Sequence, residues 1–371
     1  MSERTKKFIR DLRGLLIIPA TFLLTLLAGA NPAVVETVYS GALFRLIAAL
    51  IPCQYIPFVS FFELFLLLVP LILLAGLVFF VRALVRNKEN RRWRVLELLR
   101  RVLLVGGATY FLFYVCWGFN YYRQPYSVIA NLPLQPSSRE ELRELCEGLI
   151  DKTNEARAKL PSAEDNTLAI SFSAAEWQDI TRQAFAKAQA EGIPGITAAR
   201  VSAKPLFFSR AISYLGITGF YISLTAEAHY NDDAPVPFKG STICHEMAHR
   251  QGFAREDEAN FLAYYVCAGA QDDYLNYSGH LLAVVYSMNQ LYENDREAYG
   301  ELYGRYSDEV LADLQANNSY WRAFEGKAEE TFTQMNDAYL RGHNLEDGVK
   351  SYGRMVDLLL ALEREQKNAA A

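Results

Sequence analysis

Histidine, cysteine and methionine are scarce in this chain of 371 residues, at five each. The cysteines are Cys53, Cys116, Cys146, Cys244 and Cys267. They form no CxxC pair, which excludes a cysteine-based zinc site, and their spacing implies no disulfide framework. Cys244 and Cys267 stand among apolar residues and read as small buried side chains; a bridge between them is open only outside the cytoplasm. A basic patch interleaved with aromatics is missing and the net charge is only -5, so nucleic acid is not expected as a partner. There are no low-complexity tracts and no fixed-period repeats, which argues against a solenoid. Nothing in the sequence specifies an oligomer.

What is abundant is apolar residue, unevenly spread. Residues 14–30, 58–81 and 102–119 are long apolar runs flanked by charge, and each reads as a transmembrane helix. Pro70 within the second is tolerated in a span as a kink. The first run, with its basic start and "LAGA" ending, also fits a signal peptide, but the two later runs favour an uncleaved anchor. The stretch from Gly41 to Cys53 is too short to span and is expected in the interface. Arg4, Lys6, Lys7, Arg10 and Arg13 precede the first run, and eight basic residues from Arg82 to Arg101 separate the second from the third. Arg45 is the only basic residue between the first and second. The positive-inside rule then puts the N-terminus in the cytoplasm and the domain from residue 120 to 371 outside it, on a multi-pass membrane domain covering 1–119 in contact with lipid.

After the spans, "QPYSVIANLPLQPSSREEL" reads as an extended linker. Ser138 with Glu141, and Ser173 with Glu176, form capping-box signatures that open helices. Residues 204–225 are rich in β-branched and aromatic side chains and predict a hairpin of two short strands turning near Gly216 to Gly219. The segment "HYNDDAPVPFKG" reads as a loop, and the remainder as helical. The expected fold class is α+β: three N-terminal transmembrane helices, then a mainly helical domain with a small sheet. Met288, Met335 and Met355 are expected in the core, and His280 at the surface or at a cap.

Within "STICHEMAHRQGFAREDEANF", His245 and His249 are four residues apart. On a helix they share a face about 5–6 Å apart at Cβ, which suits two imidazoles meeting one Zn2+. Glu246 adjoins the pair and is placed to act as general base on a metal-held water. Gly252 stands where the helix should stop. A third protein ligand is needed. Glu256 has Asn260 one turn later on its own face, where the amide can hold a ligand histidine. Glu258 lies about 160° away around the helix, so only one of the two acids can face the metal. Glu256 is the expected third ligand, with Glu258 the alternative.

"HEMAH" followed by "EDEAN" resembles the glutamate-type zincin (gluzincin) metallopeptidases, which pair HExxH with a later E-x-x-A-D or E-x-x-A-N helix. That resemblance implies a zincin-like fold and zinc, and again selects Glu256. The link from the second histidine to the acid is short for such an enzyme. The "HxxGxx" layout is nearer the metzincin one, whose third-histidine position is Arg255 here. "GITGFYISLTAEAHYN", "HEMAHRQGFAREDEANF" and "MNDAYLRGHNLEDGVKSYGRMVDLLL", with the N-terminal spans, resemble a family of uncharacterised bacterial membrane proteins, domain of unknown function 3810. A zincin needs a donor for the oxyanion; His229, Tyr339, His343 and Tyr352 are the candidates, and "GFYISLT" is the candidate substrate-binding strand. The expected activity is zinc-dependent hydrolysis of a peptide or protein substrate by a membrane-anchored metallopeptidase. The alternative is a non-catalytic zincin-fold receptor or scaffold in which zinc is structural or absent.

Overall fold

Long apolar helices head the chain, a form in which each segment satisfies its own backbone polar groups. A computed structural model describes residues 8, 11–86, 88–342 and 354–370. Four described helices are long and apolar enough to cross a membrane: α1 (Arg13–Ala30), α2 (Pro32–Leu50), α3 (Phe61–Arg86) and α4 (Arg91–Cys116). The sequence reading expected three, and α2 is the difference. It starts at Pro32, directly after Asn31, and is continuous through a π-helical stretch over Val35–Leu43. Its one acid is paired: both Glu36 carboxylate oxygens accept from Arg123 at 2.7 Å. Pro70 sits inside an unbroken α3.

The chain divides into two units: Met1–Ile51 with Phe61–Arg123 and Ser223–Thr225, and Pro52–Ser60 with Gln124–Ile222 and Ala226–Ala371. In the first, α1 and α4 run parallel. Asp11 meets Arg100 at 2.9 Å, Gly14 lies against Leu104, Gly107 against Ile17 and Ile18, and Gly29 against Tyr122. α2 stays near the end of α4: the Tyr39 hydroxyl donates to the carbonyls of Tyr114 and Val115, Ser40 to Asn120, and Phe44 packs on Trp117.

The second unit is mainly helical. Both capping boxes form, opening α5 (Arg139–Arg157) and α6 (Ala174–Ala190). The supposed linker before them is partly packed. Tyr126 is fully buried, its ring anchored in the core against Phe253 and Phe261. α7 (Val236–Arg250), α8 (Glu256–Ala268) and α9 (Asp273–Asn294) pack on one another, with α5 against α9. α10 (Arg296–Tyr303), α11 (Asp308–Arg322), α12 (Lys327–Gly342) and α13 (Met355–Ala370) complete the described helices of this unit longer than five residues. Met288 and Met355 are buried as expected, whereas Met335 is 65% exposed on α12. His280 is buried inside α9 against Tyr264, not at a surface or cap, and burial pushes its imidazole down to about 4.

The sheet corrects the expected hairpin. Its strands are β1 (Lys204–Pro205), β2 (Gly219–Ile222) and β3 (Glu227–Tyr230), in the order β1-β3-β2. β2 pairs antiparallel with β3, while β1 lies parallel to β3 and Ser209–Ser213 between them is helical. The segment read as loop from His229 onward takes in the second half of β3. The polar members of this strand are buried through pairing. Lys204 Nζ donates to Glu227 at 2.6 Å and to the carbonyls of Cys53 and Val59 at 2.8 and 2.9 Å; Ser60 Oγ lies 3.0 Å from His229 Nε2. Strand alternation separates the two faces. Gly219, Tyr221, Ala228 and Tyr230 look toward α7, and Phe220, Glu227, His229 and Lys204 look away from it, toward Pro52–Ser60.

Candidate metal centre

The site begins with how α7 ends. Gly252 has φ +88°, the left-handed region that favours glycine, and its N–H bonds the His249 carbonyl while that of Phe253 bonds Ala248. This turn has two consequences. It lets the chain re-enter a helix at Glu256 after only six residues from His249, and it points the Phe253 carbonyl back at His249 Nδ1, 2.7 Å away. A carbonyl only accepts, so His249 carries its proton on Nδ1 and presents Nε2 to the centre. Phe253 itself is fully buried and anchors the turn.

His245 is oriented in the same manner. Its Nδ1 lies 2.8 Å from Asn260 Oδ1, while Asn260 Nδ2 donates to the Tyr286 hydroxyl at 3.3 Å. The amide oxygen therefore accepts from His245 Nδ1, and Nε2 again faces inward. Glu256, the first residue of α8, closes the set: its Oε2 lies 3.1 Å from His245 Nε2 and 3.5 Å from His249 Nε2. One donor atom from each of His245, His249 and Glu256 fits within a 4.8 Å cluster.

The electrostatics follow from this packing. Burial alone would raise the Glu256 carboxyl, but the two imidazoles outweigh it and hold the group below the usual carboxylate range. Burial opposes a charged His249, yet Glu256 above all carries it up to about 9. Glu246 is buried, and burial pushes it up to about 7 against the pull of His245 and His249. Its Oε2 has no hydrogen-bond partner among the described residues. The residue opposite is Gly219, where an added Cβ would lie 2.8 Å from Glu246 Oε1, so β2 approaches this carboxylate as closely as only glycine permits.

Glu258 lies outside the cluster. It is buried, and its Oε1 accepts the Tyr126 N–H at 2.7 Å. Of the oxyanion candidates, His229 looks away from α7 and sits with Ser60, and Tyr339 is exposed on α12. His343 and Tyr352 lie outside the described residues. Sequence reading missed Tyr286, a member of this site through Asn260. It is pushed up to about 12, first by burial and next by the charge of Glu256. It stands 26 residues beyond Asn260 on α9 with no local motif to mark it. Cys244 and Cys267 are both buried, and both are free thiols.

The structure thus defines a class: a mainly helical chain with apolar N-terminal helices and a buried His-His-Glu cluster that could hold a metal ion. The chain belongs to the family described as protein of unknown function (DUF3810), whose model matches residues 39–360. No curated protein and no solved structure matches it.

Proposed function

We propose that this chain is a membrane-anchored, zinc-dependent peptidase with Glu246 as its general base. The observation that carries the reading is the convergence of His245, His249 and Glu256, with the outer nitrogen of each imidazole already held. Two imidazoles and one carboxylate suit zinc, and three protein ligands leave a position for water. When bound, zinc would supply a water acidified toward ~7 and a Lewis acid for the substrate carbonyl. The chain's own part would fall to Glu246, whose buried carboxylate would serve as general base toward the attacking water and as proton donor to the leaving amine. Tyr286 and Asn260 hold His245 in register. The reading is tested by metal content of the full chain purified in detergent. About one zinc per chain is expected, lost in His249→Ala and Glu256→Gln and kept in Glu258→Gln. Equal loss in Glu256→Gln and Glu258→Gln would remove the ligand assignment, and a zinc-free parent would remove the reading.

The same proposal includes the site's place outside the cytoplasm. α1 and α4 start side by side and end side by side, so a single net crossing intervenes between them, and α3 supplies it. α2 keeps to the end of α4, which makes it a helix of the outer interface despite its length. Basic residues cluster at the starts of α1 and α4 and at the end of α3, the expected cytoplasmic side. A protease site inserted after Lys88 should be cut only in inside-out vesicles, and one after Gln135 only from outside the cell. Cutting of both from one side would overturn this topology.

A further inference from the structure

A small pocket lies one turn of α7 before Glu246 and is lined by no member of the metal cluster. Phe238, Thr242 and Glu246 succeed one another at intervals of one turn, so they share one stripe of α7. Phe238 and Thr242 line the pocket; Thr218, the residue before Gly219, lines it from the start of β2, and Trp321 of α11 forms part of its wall. Gly219 already lies against Glu246. The pocket is therefore the next space along α7 and β2 from the carboxylate. Two deeper lining residues, Asn231 and Lys239, are buried with their polar atoms engaged. Lys239 Nζ donates to the Asp232 carbonyl at 2.7 Å and its carboxylate at 3.2 Å, and Asn231 Nδ2 donates to Ser213 and to the Ile217 carbonyl. No charge is left to greet a charged guest. The cavity volume is about 10 Å³, room for about one water.

The geometry points to this pocket as the subsite that receives one substrate side chain beside the scissile bond, and to a small uncharged residue (glycine, alanine or serine) as its occupant. The inference rests on the peptidase reading above. A pocket that admits one water excludes a branched or aromatic side chain, and the satisfied Lys239 gives no reward for an acid.

The test is the cleavage profile of a mixed peptide library with the full-length, zinc-loaded protein in detergent. The parent should require Gly, Ala or Ser at one position flanking the cut. Trp321→Ala should widen acceptance to Val and Leu at that position alone, by about tenfold or more in kcat/KM. Thr242→Leu, which fills the space, should narrow it toward Gly. Opposite shifts from the two variants cannot come from general misfolding. An unchanged profile in both, or a shift at every position, overturns the subsite. Should the parent cut nothing, the peptidase reading falls, and the pocket is judged by binding of Gly-, Ala-, Ser- and Leu-containing peptides to Glu246→Gln. A size preference that Trp321→Ala relaxes supports it, and its absence overturns it.

Discussion

Glu246→Gln is expected to bind zinc as the parent does and to lower kcat for peptide hydrolysis by about 10²–10⁴-fold, the usual contribution of a positioned general base. The substitution keeps the size of a side chain that is buried against Gly219, so the fold and the neighbouring cluster stay in place. It removes only the ability to take a proton. KM should change little, since the lost interaction is made in the transition state and not in substrate binding. Metal analysis and steady-state kinetics on the same preparation check this. A variant that keeps both its zinc and its activity would show that another group moves the proton. If parent and variant both hold zinc and neither cleaves any peptide in a broad library, the protein is a zinc-holding scaffold.

Asp313→Ala is expected to be the most damaging single change to stability outside the metal centre. Asp313 and Arg157 are fully buried and paired at 2.7 Å, linking α11 to α5. Asp313 also accepts from the Tyr277 hydroxyl of α9 and from the Leu168 N–H, each at 2.7 Å. Removing one partner of a buried pair costs about 3–5 kcal/mol, because the other charge stays behind without its counter-ion. Two further donors lose their acceptor in the same step. At 2–4 °C per kcal/mol for a domain of this size, the midpoint of thermal unfolding should fall by roughly 6–20 °C. Asp313→Asn keeps an acceptor for Leu168 and should fall by less. A change of under about 2 °C for Asp313→Ala, measured by unfolding of the full chain in one detergent, would mean the network is dispensable.

The parts of this protein legible in the sequence were those set by local rules. Ser138 and Ser173 capped their helices because the capping box is a contact between residues three apart. Gly252 marked the end of α7 because left-handed backbone favours glycine. The i, i+4 spacing placed His245 and His249 with rings 4.6 Å apart. The placing of Glu256 and Asn260 on one face, both reaching His245, followed from one turn of helix. Elements with distant partners were misread. β3 hid its strand character behind Glu227 and His229, which are buried only because Lys204 and Ser60 reach them from elsewhere in the chain. α2 looked too short because only Gly41 to Cys53 was counted, whereas the helix runs on from Pro32 through a π-helical stretch. His280 looked superficial because nothing nearby in sequence announces the core of α9.

The sequence by itself determined the apolar N-terminal helices, the mainly helical domain with a small sheet, and the residues able to hold a metal, since composition and helical period act over one or two turns. The sequence favoured Glu256 over Glu258 as the acid beside the histidines, and the tertiary structure decided it. Glu256 and Glu258 are equal as carboxylates, and the choice between them was made by a left-handed turn at Gly252 and by the Tyr126 N–H, 132 residues away, which holds Glu258 on the far side of the helix.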